Sequence, residues 1–166
     1  MKQMLTQNAG IDISKDKLDA HIAAVDKECL RLLKQDEHLN GRYEIVNSIP
    51  GIGDITAIAM LVHMPELGEL DEKQVASLAG LAPVTRQSGK WRGKASIRGG
   101  RGAVRLALYM PVLVAIRFNK PLADKYQSLL KAGKLKKVAI TVIMRKMLIL
   151  ANALLRDRRM WTEIKA

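Results

Sequence analysis

From about residue 26 onward, apolar residues recur at steps of three and four, and the recurrence is cut at short intervals by proline and glycine. The cuts fall at Pro50-Gly51-Ile52-Gly53, Pro65, Gly80, Gly99-Gly100, Asn119-Lys120-Pro121 and Ala132-Gly133. A chain written this way folds as several moderate helices joined by tight turns. Hydrophobic residues make up 48% of the 166 residues but aromatics only 4%. The core must therefore be built from Leu, Ile, Val, Ala and Met, which suits helices packed on helices better than a sheet sandwich. The expected class is mainly α.

The spacing predicts a helix over 26–48, with Asn40-Gly41 as a weak point and Pro50 as its end. Asp54 is expected to cap a second helix by accepting from the amides of Thr56 and Ala57, and Pro65 to close it. Asp71 should cap a further helix, Glu72 to Ala79, stopped by Gly80. A long apolar helix is expected from near Arg101 to Phe118, a short one to Lys131, and a last long one from Leu135 to Arg156 with a basic edge. Ahead of all these, Gly10-Ile11-Asp12-Ile13-Ser14 alternates as a strand does, and Leu18 to Val25 reads as its hairpin partner. The apolar runs near Tyr109 to Ile116 and Val138 to Met144 look interrupted or too short to span a bilayer, and no membrane partner is expected.

Charge is distributed unevenly. The net charge of +12 resolves into −1 over residues 1–50, −4 over 51–80 and +17 over 81–166. A basic half of this kind suits a polyanion, because Lys and Arg gain binding by displacing condensed counterions. The single cysteine, Cys29, forms no internal disulfide and reads as a buried or half-buried thiol, consistent with a cytoplasmic location. His21, His38 and His63 are too dispersed to make a metal triad, and the eight methionines read as core filling.

Two segments carry chemistry. Ser48-Ile49-Pro50-Gly51-Ile52-Gly53, between two helices, has the form of a helix-hairpin-helix turn. Gly51 and Gly53 would let the backbone turn tightly and present helix N-terminal amides to a phosphate without reading base sequence. A plain helix-helix turn explains the same glycines equally well, and the acidic stretch from Asp54 to Glu72 counts against an anion.

The second segment runs from Gln87-Ser88-Gly89 to Arg105, read as a flexible or tightly turned basic loop. It surrounds Ser88 with Arg86, Lys90, Arg92, Lys94, Arg98, Arg101 and Arg105. A serine attacking a phosphodiester needs exposure on a small-residue turn, cations to lower its pKa and neutralise the developing charge, and a route for the strand to approach, and this segment is compatible with all three. The ordinary alternative is a serine that hydrogen-bonds its own turn inside a passive basic loop. Ser96 is a weaker second candidate, and Trp91 either stacks on a base or plugs the core.

In order, Ile49-Pro50-Gly51-Ile52-Gly53, Leu78-Ala79-Gly80-Leu81-Ala82-Pro83, Ser88-Gly89, Ile97-Arg98-Gly99-Gly100 and Arg105-Leu106-Ala107-Leu108-Tyr109-Met110 span roughly residues 26–161. This order resembles the C-terminal domain of insertion-sequence transposases that join a DEDD-type, resolvase-like nuclease domain to a serine-bearing transposase domain, a family of RNA-guided bridge recombinases. The resemblance implies a DNA-binding recombination domain with Ser88 as nucleophile, DNA and guide RNA as partners, a homo-oligomeric assembly, and magnesium as the intact family's cofactor. It also makes Asp12, in Gly10-Ile11-Asp12-Ile13-Ser14-Lys15, the first of four acidic metal ligands.

The chain departs from the family where the remaining ligands should lie, passing almost directly from the first hairpin to the helix before Pro50. Asp16, Asp19 and Asp26 are read as solvated charges in a turn, a strand and a helix start, and Asp12 alone would hold a hard cation weakly. The expected organisation is a nuclease-domain remnant and short β-hairpin over 1–25, a connecting helix over 26–48 and a helical transposase domain over 49–166. Such a chain would be incomplete for catalysis alone and would bind no magnesium itself. A non-catalytic helix-hairpin-helix module for nucleic acid is the alternative, and a helical oligomerisation fragment the third reading.

Overall fold

The computed structural model of the protein describes residues 15–85, 87–89, 91–93 and 95–162, and gives backbone alone at 15, 16, 91 and 92. Seven helices account for most of it: α1 (Lys15–Gln35), α2 (Glu37–Asn47), α3 (Asp54–His63), α4 (Glu72–Leu78), α5 (Gly102–Phe118), α6 (Lys120–Lys131) and α7 (Lys136–Arg156). Between α4 and α5 lie four two-residue strands, β1 (Pro83–Val84), β2 (Gln87–Ser88), β3 (Trp91–Arg92) and β4 (Ser96–Ile97).

The centre of the fold is α7. Its residues Ile140, Ile143, Met144, Met147, Leu148, Ala151, Leu154 and Leu155 are buried, and it packs against α2, α4, α5 and α6. Contrary to the expectation from the apolar runs, α7 has the length and composition of a membrane span. More than half of that window is buried against its neighbours, so the apolar faces serve the core. Of the eight methionines read as core filling, Met60, Met64, Met144 and Met147 do fill this core, whereas Met110 and Met160 are exposed and Met1 and Met4 lie outside the described residues.

Caps explain most helix boundaries. The Asp71 carboxylate accepts from Lys73 and Gln74 amides at 2.7 Å while the Gln74 side chain accepts from the Asp71 amide, a reciprocal capping box. Asn119 caps α6 through Leu122 N, with Pro121 in the first turn where its missing N–H is harmless. Gly80 takes a left-handed φ of +68° beyond α4, and Gly133 one of +74° beyond α6.

The N-terminal region differs from its reading. Leu18 to Val25 is helical, part of α1, because apolar residues at four- and three-residue steps continue unbroken into the segment from Asp26. Asp16, Asp19 and Asp26 consequently all sit on one helix. Gly10 to Ser14, with Asp12, lies outside the described residues. The predicted single helix over 26–48 is two: the break falls at Asp36, whose carboxylate accepts from Leu39 N and caps α2, whereas Asn40-Gly41 passes inside α2. That helix ends at Asn47, three residues before Pro50.

Asp54 does not cap α3. Gly53 occupies the N-cap position, without a side-chain acceptor, and the Asp54 carboxylate instead accepts from the Tyr43 hydroxyl at 2.7 Å and from Asn47 Nδ2 at 3.3 Å. The tyrosine is buried beside the turn, where its hydroxyl finds a charged acceptor in Asp54. Burial first, then the Asp54 carboxylate, pushes the Tyr43 hydroxyl up to about 12.

Candidate nucleic-acid interface

The basic segment read as a loop is a narrow antiparallel ribbon. β1 pairs with β4 through Pro83–Ile97 and Val84–Ser96, and β2 pairs with β3 through Gln87–Arg92 and Ser88–Trp91. The second pair is nested inside the first, so residues 83–97 form one hairpin whose tip carries Gly89 at φ +56°. Gln87, Ser88 and Gly89 are exposed, and Ser88 stands on the last rung before the tip. Ser96 is also exposed, one rung from the base.

The hairpin is rooted by backbone contact. Gly80 and Gly100 meet face to face, and a Cβ on Gly100 would lie 2.7 Å from the Leu78 carbonyl oxygen and inside the Gly80 backbone. Arg101 N donates to Leu78 O at 2.8 Å across the same crossing. Only residues without side chains allow the end of α4 and the start of α5 to approach this closely.

The cations named with Ser88 separate into groups. Arg86, Lys90 and Lys94 lie outside the described residues, and Arg92 is described only as backbone in β3. Arg98 is exposed and follows β4. Arg101 points inward instead: its guanidinium meets the Glu66 carboxylate at 2.7 Å through both terminal nitrogens and also donates to His63 O at 2.7 Å. This fork holds the Glu66 carboxyl down at about 2, its own backbone amide assisting. Arg105 donates to Ala79 O at 2.9 Å and Gly99 O at 2.5 Å. Two arginines expected to face phosphate thus fasten the hairpin's foot.

The segment after α3 is a hub that the sequence reading passed over. Arg42 donates to Pro65 O and Leu67 O at 2.9 Å, and Asn152, 2% exposed, accepts from Gly68 N at 2.8 Å while donating to Leu70 O at 2.7 Å. A signal was present: Asn152 interrupts the apolar stripe of Leu148, Ala151 and Leu155, and a polar residue on a buried stripe needs partners of its own.

At the turn before α3, Gly51 packs onto α5. A Cβ there would sit 2.8 Å from Pro111 O and 3.0 Å from Ala115 Cβ, and its φ is +98°. Gly53 is open, with the Asp54 carboxylate beside it. Gly51 is therefore required by packing, and Gly53 keeps the free helix terminus. The turn and the Ser88 hairpin are separate places in the fold, the first on the α3–α5 pair and the second beyond α4.

Asp12, the residue that the resemblance makes a magnesium ligand, lies outside the described residues. Asp16, Asp19 and Asp26 are strung along α1, and among the described residues no three His, Cys, Asp or Glu side chains converge. His63, exposed at the end of α3, contributes its carbonyl to Arg101.

Comparison with known proteins bears on the same segments. The sequence model described as Transposase IS116/IS110/IS902 family matches residues 43–127, from Tyr43 through the Ser88 hairpin into α6. A pilin gene-inverting protein of Moraxella bovis is 34% identical over 142 residues, covering 83% of this chain and 44% of its own. An insertion element IS116 uncharacterized 44.8 kDa protein of Streptomyces clavuligerus is 32% identical over 148 residues, covering 87% and 36%. The chain spans less than half the length of the curated relatives it matches.

Proposed function

Since this chain belongs to the IS116/IS110/IS902 transposase family, we propose that it is the serine-bearing, DNA-binding part of a transposase acting in DNA recombination, with Ser88 as the nucleophile. The observation that carries this reading is the placement of Ser88. It is exposed beside the tip of a hairpin held rigidly at its foot, within a sequence segment rich in Arg and Lys. A projecting tip can enter a groove of a duplex, and neighbouring cations would stabilise the charge of the pentacoordinate phosphorus.

In the proposed step the Ser88 oxygen displaces a deoxyribose oxygen from phosphorus. One phosphorus–oxygen bond forms as another breaks, and the phosphodiester is conserved as a serine–DNA ester that an incoming strand hydroxyl reverses. The serine proton passes to solvent water, and the leaving oxygen takes a proton from solvent. Magnesium, if the family's nuclease domain holds it, would be brought by that domain's carboxylates; nothing in the step above is assigned to it. Guide RNA and a homo-oligomer complete the proposed assembly.

The test is to mix the chain with labelled DNA and a separately supplied nuclease domain of the family, and to look for an adduct that survives denaturation. An adduct that vanishes in Ser88→Ala supports the assignment; an adduct that persists in Ser88→Ala overturns it. The second reading is a non-catalytic nucleic-acid module, in which the exposed hairpin and its cations hold the strand without attacking it. Salt-dependent DNA binding with no adduct would select that reading, and salt-independent or absent binding would sink both.

A further inference from the structure

A groove of about 1550 Å³ lies between α5, α7 and the base of the hairpin. Its walls include Leu106, Tyr109, Val138, Val142, Ile149 and Leu150. Along α7 the lining falls at four-residue steps, Lys137, Thr141 and Arg145 in one row and Val138, Val142 and Lys146 in the next, so one side of that helix supplies both carbon and charge. Among the described residues, Lys137, Arg145 and Lys146 take part in no ion pair, and Glu72 is the one acid in the lining.

Asn119, at the bend between α5 and α6, also lines the groove and is 4% exposed. Its Oδ1 accepts from Leu122 N and caps α6, which fixes the amide so that the other terminal atom, Nδ2, is a donor. That donor finds no acceptor among the described residues. A serine or aspartate would cap α6 as well, so the cap accounts for the oxygen of Asn119 and leaves the nitrogen unexplained. A buried N–H without a partner is costly, and one that lines a groove calls for an acceptor brought in by a ligand.

We infer, on the nucleic-acid reading proposed above, that this groove seats a single unpaired nucleotide of a bound strand. Its base lies against the apolar walls with an acceptor on Asn119 Nδ2, and its flanking phosphates lie on Lys137, Arg145 and Lys146. Three properties of the groove meet three of that ligand. The flat faces of a base are apolar and stack on aromatic rings such as that of Tyr109. Base edges carry carbonyl and ring-nitrogen acceptors for a buried amide donor. Phosphates meet cations that have no partner in the chain.

A continuous duplex does not fit, because its base faces are covered by stacking and only its backbone would reach walls made of carbon. A nucleotide that has no pairing partner loses least on leaving the stack. A long-chain carboxylate would fill the walls and pair with a cation, but it would lay methylenes against Asn119 Nδ2 and leave that donor unsatisfied. The nucleotide answers the buried donor and the cationic rim together.

Fluorescence anisotropy tests this, using the 166-residue chain with a labelled duplex and with the same duplex carrying one bulged thymine in DNA or uracil in RNA. The bulged probe is expected to bind about tenfold more tightly, and the tighter of its DNA and RNA forms identifies the strand that supplies the nucleotide. Asn119→Asp keeps the capping oxygen but replaces the donor with an acceptor, and should remove the preference while leaving duplex affinity in place. Val138→Trp, at a wall position 47% exposed, should remove it by filling the groove, a readout that survives if Asn119→Asp misfolds. A bulged 5-iodouracil should cross-link to Tyr109 on irradiation. Equal affinity for bulged and continuous probes, a preference that survives both substitutions, or a cross-link confined to residues 83–97 would each overturn the groove assignment and leave the proposed function standing. Oleate that binds the chain and is undisturbed by the bulged probe would assign the groove to an acyl chain instead. Absence of salt-dependent binding to any of the probes would overturn the proposed function itself.

Discussion

Gly51 and Gly89 both adopt left-handed backbone, at φ +98° and +56°. A Cβ added at Gly51 would lie 2.8 Å from Pro111 O, whereas one at Gly89 would meet nothing within 4 Å. The two regions they belong to carry the same sequence signal, a glycine-bearing turn that could offer a backbone amide or a hydroxyl to a phosphate. In the turn before α3, however, the glycine is consumed by the approach of α5, and the adjoining Asp54 by Tyr43 and Asn47. In the hairpin the glycine serves only the tip, and Ser88 beside it stays exposed. Glycine in a sequence therefore marks close approach or free turning without saying which, and the neighbour across space makes the distinction.

The strongest way to break this contrast is Gly51→Ala. Strained φ and a clash with backbone that cannot rotate away should together destabilise the fold by about 3 kcal/mol or more, read as a lowered urea midpoint. A stability unchanged from wild type would mean that α5 does not hold the turn as described.

The Tyr43–Asp54 bond at the same turn gives a pH signature. Tyr43 keeps its proton in the folded chain up to about 12, while the unfolded chain releases it near 10. A raised folded value contributes stability that is present below the unfolded pKa and lost as pH rises from about 10 to 12. By linkage the loss is on the order of 2 kcal/mol, less to the extent that Asp54 is exposed to water. In Tyr43→Phe the alkaline loss attributable to this group should disappear. Equal alkaline sensitivity of the two proteins, followed by thermal unfolding from pH 9 to 12, would refute the raised pKa of the buried Tyr43 hydroxyl.

The hairpin's foot has the opposite dependence. Glu66, held near 2 by Arg101, contributes stability that is present above about 4.5 and lost as pH falls from there toward 2. Arg101→Ala should lower the melting temperature at pH 7 by a few degrees and flatten the acid limb between those values. No acid-limb difference from wild type would show that the fork adds nothing.

Much of this architecture was legible because it is local. The capping box at Asp71, the restart at Asn119-Lys120-Pro121 and the run of α7 follow from residues within a few positions of each other. What misled was competition across space. Asp54 reads as a capping residue, but Gly53 holds the N-cap position and the Asp54 carboxylate turns to a tyrosine eleven residues earlier. Leu18 to Val25 reads as a strand only by association with the alternation at Gly10 to Ser14, whereas its own apolar steps are helical. The same limit applied to the site: the Ser88 segment was singled out from its glycines and cations, yet nothing in sequence order distinguished Arg101 and Arg105, which fasten the foot, from Arg98, which does not. Partners such as Glu66 and the Ala79 carbonyl lie 35 and 26 residues away, beyond any periodicity.

A smaller effect is expected at the tip. Gly89→Ala meets no atom, so only the left-handed backbone opposes it, and the loss should be about 1 kcal/mol. A loss as large as that of Gly51→Ala would erase the distinction between packed and free glycine and would require the hairpin tip to be buried against something, which a protease-protection assay would detect.

Arg98 should affect stability least of all, and that is what makes it informative. It is exposed and takes no part in a side-chain ion pair among the described residues, so Arg98→Ala should leave the melting temperature unchanged. If Arg98 contacts a phosphate, as the proposed function requires, the same substitution should reduce the slope of log affinity against log salt by about one, uniformly across DNA sequences. Arg101→Ala, by contrast, should move the melting temperature and leave that slope largely intact. A reversed pair of outcomes, slope lost with Arg101 and stability lost with Arg98, would place the nucleic-acid surface at the hairpin's foot and make the Glu66 fork a state that DNA displaces.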